Sequence, residues 1–172
     1  MSVTTITTER LIIRPFAAGD LDDLTVLIRD KMAGEYAPYD TQWPTSDESM
    51  KGTLEHYINS KPWKWCAVEL KATGHVIGFV FAGENKDMSR SIGFTICSDH
   101  QNNGYGYEAC HALMFHCQNA LGTRRFGAGT VDCNIPSVKL LHKLGFTKIR
   151  SFEASFVANT PKVAAGEYER IM

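Results

Sequence analysis

The spacing of apolar residues along this chain changes several times, and each change predicts a different element. In TTERLIIRPF (residues 7–16) apolar and polar positions alternate, which predicts a strand, with Pro15 tolerable at its margin. Leu21, Leu24, Leu27 and Ile28 then share one helical face, and Asp20 stands where a helix N-cap would. Gly34, Pro38 and Pro44 predict a loop from Ala33 to Ser46. A second helix follows from about Ser46 to Asn59, entered through Ser46, Asp47 and Glu48. Trp63 to Leu70 reads as a strand, residues 72–74 as a turn, and His75 to Ala82 as the hairpin partner. Past the polar GENKDMS comes a strand from Ser91 to Cys97. A long helix is predicted from about Gly104 to Leu121, with Tyr107, Cys110, Met114, Cys117 and Leu121 as its apolar stripe. Arg125 to Asp132 is a strand candidate weakened by Gly127 and Gly129, and Pro136 to Leu144 a short helix ended by Gly145. Phe146 to Phe152 and Val163 to Ile171 complete the chain as strands. This order predicts an α/β fold, a mixed sheet with helices packed on it.

Composition narrows the class. The 172 residues suit one domain over 1–172, and 44% hydrophobic with 22% charged residues is a globular profile. A net charge of -1 points to neither nucleic acid nor an acidic membrane as partner. No apolar run has membrane-spanning length, and MSVTTITTER lacks the basic and apolar segments of a signal peptide. Cys66, Cys97, Cys110, Cys117 and Cys133 are odd in number and form no CxxC, which predicts reduced thiols and a cytoplasmic location. His111 and His116 lie near Cys110 and Cys117 on one helix, but the cysteines fall on its buried stripe. They read as packing, and no metal site is predicted.

The chemistry concentrates in QNNGYGYEA, residues 101–109, between a strand and a helix. The first amides of a helix have no internal acceptor, and its dipole adds partial positive charge there, so the arrangement suits an anion. Gly104 and Gly106 would let phosphate oxygens approach. A dinucleotide loop would place a third glycine at Ala109, which the looser fingerprint allows, but no early βαβ unit surrounds it. The Gly-Lys-Ser/Thr ending of a P-loop is absent. A glycine turn with no ligand is equally compatible with the spacing. Further on, in VDCNIPSVKLLHKLGF, Asn134 can cap the short helix and Ser137 lies in its first turn.

Together these segments resemble the Gcn5-related N-acetyltransferase family. Gln101, Gly104 and Gly106 match its Gln/Arg-x-x-Gly-x-Gly/Ala motif, with Glu108-Ala109 after it, and Asn134, Ser137, Gly145 and Phe146 match its later motif. Thr8 to Arg14, and Ile92 to Phe94, are similar to the branch that acetylates ribosomal-protein N-termini. The resemblance runs from Thr8 to about Phe152. It implies a central mixed sheet of about seven strands flanked by about four helices, with a splayed cofactor cleft between two parallel strands. Those would be the Ser91–Cys97 and Arg125–Asp132 strands.

The resemblance further implies an acetyltransferase that uses acetyl-CoA. Phe94, Thr95 and Ile96 would pair with the pantetheine arm. Gln101, Asn102, Asn103, Gly104, Tyr105, Gly106 and Tyr107 would cradle the pyrophosphate, and Asn134, Ser137 and Lys143 complete the implied cofactor contacts. Many members place a tyrosine, here Leu141, to protonate the leaving thiolate. In the ribosomal-protein branch a serine takes this place, which makes Ser137 the catalytic candidate, with Asn134 holding the site. The glutamate that often serves as base is here Ser91, leaving Glu84, Asp87 and His100 nearby, or a water chain. Tyr36, Tyr39 and Trp43, with Trp63, offer flat walls for an acceptor. The reading is an enzyme that acetylates a primary amine, on a peptide N-terminus or a small molecule, by direct attack in a ternary complex, as a monomer or homodimer. The alternatives are a non-catalytic acyl-CoA sensor and a nucleotide-binding loop.

Overall fold

The computed structural model describes residues 5–157 and 161–172. Residues 1–4 of the segment read for a signal peptide lie outside the described residues. The N-terminal alternation forms two strands rather than one, β1 (Ile6–Thr7) and β2 (Leu11–Pro15), paired antiparallel. Thr8 breaks the run: its hydroxyl accepts from the Leu11 N–H at 3.0 Å, and its own N–H donates to the Leu11 carbonyl at 3.0 Å. There follow α1 (Leu21–Ala33), α2 (Asp47–Ile58), β3 (Trp65–Leu70), β4 (Val76–Glu84) and β5 (Arg90–Ile96). The chain continues through α3 (Tyr105–Leu121), β6 (Arg125–Val131), α4 (Ile135–Lys143), β7 (Thr147–Ala154) and β8 (Val163–Ile171). The glycines of β6 do not prevent it from forming. Among the described residues the strands number eight, in the order β1-β2-β3-β4-β5-β6-β8-β7, with the last strand between β6 and β7.

Two hydrophobic clusters make the layers. Leu24, Leu27 and Ile28 of α1 and Met50, Leu54 and Tyr57 of α2 pack with Phe16, Ala67, Val76 and Phe79. The other cluster joins α3 and α4 to the sheet, through Ala109, Cys110, Leu113, Met114, Cys117, Leu141 and Leu144. The buried stripe of α3 includes Ala109 and Leu113, whereas Leu121 is 45% exposed. A fully buried leucine such as Leu113 contributes about 1.5–3 kcal/mol through area removed from water.

Helix entrances divide into caps and anchors. Ser46 caps α2, accepting from the Ser49 N–H, and Gly145 takes the left-handed conformation, φ +83°, just past α4. Asp20 sits at the N-cap of α1 but makes no cap bond to it. Its carboxylate accepts from both terminal nitrogens of Arg14, at 2.8 and 2.9 Å, and from the Ala17 N–H at 2.8 Å. Arg14 Nε also donates to Glu69 at 2.7 Å, so one guanidinium ties β2 to β3 and to the entrance of α1.

Loss of a simple cap costs about 1 kcal/mol, whereas removing charged hydrogen bonds from a half-buried guanidinium that keeps Glu69 costs about 2 kcal/mol. Asp20→Ala is therefore expected to lower unfolding stability by about 2 kcal/mol in urea titration, and a loss of about 1 kcal/mol or less would return Asp20 to the role of a cap.

Candidate active site

The parallel strands β5 and β6 pair only at Arg90↔Phe126 and Ser91↔Gly127. On its other side β5 stays paired with β4 as far as Gly78↔Ile96, and β6 stays paired with β8 as far as Val131↔Ala165. The sheet therefore opens between Ile92–Ile96 and the end of β6. Phe94, Thr95 and Ile96 lie on this opened edge.

At the wide end the chain turns through Ser98–His100 into the glycine loop and α3. Two carboxylates of the surrounding helices hold this turn. Asp30 of α1 accepts from the Ser98 N–H at 2.9 Å and from its hydroxyl. Glu108 of α3 accepts from Thr8 Oγ1 at 2.6 Å, the Arg10 N–H at 3.0 Å and Arg10 Nε at 2.8 Å. Arg10 also donates to the Asn103 carbonyl at 2.9 Å and lays its guanidinium over the Tyr105 ring at 4.5 Å. The TERL segment thus braces the loop. Gln101 likewise bonds within the fold: its side-chain amide donates to the Ile96 carbonyl at 2.9 Å, which joins the loop to the end of β5.

The glycines answer to the fold. Gly104 caps α3 at φ +82°, and Asn102 also has positive φ, +61°. Gly106 is an ordinary residue of the first helical turn, where an added Cβ would press Leu140 of α4 at 3.2 Å. From Asn102 through Tyr107 no backbone N–H donates to any described residue; the first to do so is Glu108, to the Gly104 carbonyl. Lys143 stands over the Tyr107 ring at 4.5 Å, beside this run of amides.

On the β6 side, Asn134 caps α4 by accepting from the Ser137 N–H at 3.1 Å, the local role its position predicts. The partly buried Ser137 hydroxyl has no hydrogen bond to a described residue. Leu141 is 1% exposed and belongs to the core. A cavity of about 190 Å³ lies where β6 ends, lined by Tyr36, Tyr39, Asp40, Thr130, Asn134, Phe152 and others. Gly129 also lines it, and its missing side chain leaves the space open.

An acetyltransferase (GNAT) domain model matches residues 10–147. The chain belongs to that family. It is 25% identical over 146 residues to the uncharacterized N-acetyltransferase YnaD of Bacillus subtilis (strain 168), covering 83% of this chain and 82% of that one. Its fold is that of a GNAT-family acetyltransferase from Bacillus anthracis, at a TM-score of 0.85 and 20% identity over 98% of each chain. The ribosomal-protein-S5-alanine acetyltransferase from Vibrio fischeri superposes at a TM-score of 0.83 with 18% identity, over 98% of this chain and 96% of that one.

In this GNAT chain several sequence candidates fall away from the opening. Trp43 packs edge-on against Trp65 and Tyr57, among the aromatic residues under α2, and does not line the cavity. Trp63 packs on His116 at 4.2 Å and lines a separate hollow with Lys61, Glu84 and Arg90. Glu84 and Asp87 stand at the closed end of the strand pair, where Glu84 lies opposite Arg90 and Asp87 pairs with Arg125. Hydrogen bonds from Ser89, aided by Arg125, hold Asp87 below the ordinary aspartate range, which makes it a weaker base. Ser91 Oγ donates to Asn85. His100 is part of the glycine-loop turn, near the Tyr105 ring. The contributions of Asp40, Thr130 and Phe156 to the cavity left no pattern in the sequence, because only folding brings them together.

Burial pushes Glu108 upward, but the bonds from Thr8 and Arg10 outweigh it and hold its pKa below the ordinary glutamate value of 4.5. A depressed carboxylate pKa stabilises the fold above the unfolded value and loses that contribution as pH falls through the folded one. Glu108→Gln should be less stable than the parent at pH 7 by about 1.5–3 kcal/mol. The gap should close in acid denaturation as pH drops below 4.5; a constant gap from pH 7 to pH 3 would remove the charge from the clamp.

Proposed function

We propose that this chain transfers the acetyl group of acetyl-CoA to a primary amine by direct attack in a ternary complex. The observation that carries the reading is the run of unengaged amides, Asn102 to Tyr107, at the mouth where β5 leaves β6. The pyrophosphate would rest on those amides, with Lys143 nearby, and the pantetheine arm would follow Phe94, Thr95 and Ile96. The thioester would then lie between the strands, with Ser137 on one side and the Tyr36–Tyr39 cavity on the other.

Direct transfer accords with the state of four of the five thiols; the fifth, Cys133, is exposed beside Asn134. Burial, with Cys117 close by, pushes Cys66 up to about 12, and burial likewise raises Cys110 and Cys117. Cys97 at the end of β5 is pushed up to about 11, by burial first and then by Asp30, Asp99 and Asp23. Such thiols stay protonated at neutral pH and form poor acyl carriers. Five free cysteines support a reducing, cytoplasmic setting. Among the described residues no helix is long and apolar enough to cross a membrane.

The cavity, at about 190 Å³, is smaller than an ordinary drug-sized site of about 300 Å³ or more. It admits an amine and its nearest atoms, as a peptide N-terminus or a small amine would present them. Asp40 is already neutralised by Lys31, so the lining offers little to a polycation. A second reading, an acyl-CoA sensor without transfer, is favoured by Ser91 standing where the family's base glutamate would, and by Asp40, the carboxylate of the cavity lining, being paired with Lys31. Thiol release from acetyl-CoA with a panel of free-N-terminal peptides and primary amines separates the two.

Asn102 is exposed, already left-handed, and its side chain bonds to no described residue. Aspartate tolerates that conformation. Asn102→Asp should therefore keep its stability within about 0.5 kcal/mol while weakening acetyl-CoA binding by about tenfold, or 1.4 kcal/mol, in calorimetry. Unchanged affinity would rule out the loop as the phosphate cradle. For Ser137→Ala the expected result is a fall in kcat of about tenfold with little change in KM for acetyl-CoA, the signature of a contact made in the transition state. An equal kcat would remove Ser137 from the reaction.

A further inference from the structure

We infer that the amine acetylated by this chain carries an apolar side chain on the carbon beside its nitrogen, and that Gly129 sets how large that side chain can be. The inference rests on the acetyl transfer proposed above and names its acceptor class. Gly129 lies in β6 near its end, paired with Glu167 of β8, and lines the cavity. A glycine inside a strand weakens it, and is ordinarily held there by a left-handed backbone or by a close neighbour. Gly129 has neither. Its φ lies outside the left-handed region, and among the described residues an added Cβ would meet only the Gly166 carbonyl oxygen, at an ordinary 3.8 Å. Gly78 of β4 shows the contrast: a Cβ there would come within 2.3 Å of the Thr95 carbonyl oxygen. The fold would accept a side chain at position 129, and what that side chain would take is the space of the cavity.

The lining selects the chemistry. Tyr36, Tyr39, Val131, Phe152, Phe156 and Ala165 give it mostly ring and aliphatic surface. Phe156 is 41% exposed, an apolar ring left partly in water at the cavity wall, and an apolar group seated beside it would remove that surface from water. The carboxylate and the side-chain amide oxygen of the lining are already engaged. Asp40 accepts from Lys31 and from the Thr41 N–H at 2.6 Å, and Asn134 Oδ1 accepts from the Ser137 N–H at 3.1 Å. A charged or amide side chain entering here would give up its water without gaining those partners.

The cavity holds about 190 Å³, so one added side chain in its wall changes it substantially. A valine at position 129 would place its isopropyl group in that space. Gly127, one step back on the same face of β6, is equally unhindered, with only the Tyr168 carbonyl oxygen at 4.0 Å from an added Cβ, but it stands outside the lining. The two glycines therefore separate the effect of a side chain in the cavity from that of a side chain on the strand.

The test uses amino-acid amides, which present the same amine and neighbouring carbon as a peptide N-terminus or a small primary amine. Glycinamide, leucinamide and asparaginamide are compared by thiol release from acetyl-CoA. In the parent, kcat/KM for leucinamide should stand about tenfold above that for glycinamide and for asparaginamide, whose side chain has the shape of leucine's but is polar. In Gly129→Val the leucinamide-to-glycinamide ratio should fall about tenfold and in Gly129→Ala about threefold, while in Gly127→Val it stays within about twofold. Gly129→Ala should also raise the urea midpoint, since alanine suits that backbone, which separates the lost preference from lost folding. The inference is overturned by equal kcat/KM for the three amides in the parent, by a ratio unmoved in Gly129→Val, or by one moved equally in Gly127→Val. Thiol release with the wider panel of peptides and amines but with none of the amides also overturns it, and each of these results leaves acetyl transfer standing. No thiol release with any of them overturns both.

Discussion

A pair of parallel strands that stops pairing after its first rungs is the constraint on which the rest of this structure depends. Parallel ladders are ordinarily continuous and buried. Here β5 and β6 share only the Arg90↔Phe126 and Ser91↔Gly127 pairs, and each then turns its hydrogen bonding to one neighbour alone. Backbone groups along Ile92–Ile96 are left on an open edge inside the sheet. A structure tolerates such an edge only where something else holds the two halves in place and something can occupy the gap.

What holds the halves is the core cluster that α3 and α4 press across both, while a small set of hydrogen-bonded carboxylates braces the β1–β5 side and the glycine loop. Glu108 draws Thr8 and Arg10 from the first hairpin onto the head of α3. Arg14, from the same segment, locks Asp20 and Glu69. Asp30 fixes the turn that precedes the glycine loop. These bonds determine where the loop sits, so the amides of Asn102–Tyr107 are presented by a rigid frame rather than by a free loop. The glycines serve the same frame: Gly104 permits the left-handed cap, and Gly106 permits contact with Leu140.

The two sides of the opening differ in character. Toward α3 and α4 are polar loop amides, Lys143 and the Ser137 hydroxyl. Beyond β6 is a small cavity walled by tyrosines and phenylalanines, where Asp40 is paired with Lys31. An anionic carrier and an apolar-flanked amine would find complementary surfaces there, which is the division of labour a transfer between two molecules requires.

Much of this was legible along the chain because it depends on local spacing. The helices from Leu21, Asp47, Tyr105 and Ile135 declare themselves by apolar period and caps, and the strand–glycine–helix order of residues 91–121 marks a helix opened through a glycine turn. The family motifs, being short and ordered, carry the same local information. Tertiary structure alone decided the rest. It divided the first alternating run at Thr8, inserted β8 between β6 and β7, and opened the sheet after Ser91, since strand pairing is set by distant partners. It also took Asp20 from the α1 cap to Arg14, and moved Trp43 and Trp63 away from the opening while keeping Tyr36 and Tyr39 beside Asn134. Glu84 and Asp87 are close to the glycine loop in sequence yet lie at the closed end of the cleft. A strand carries its first and last residues to opposite ends of the sheet, and nothing in local spacing records which end will open.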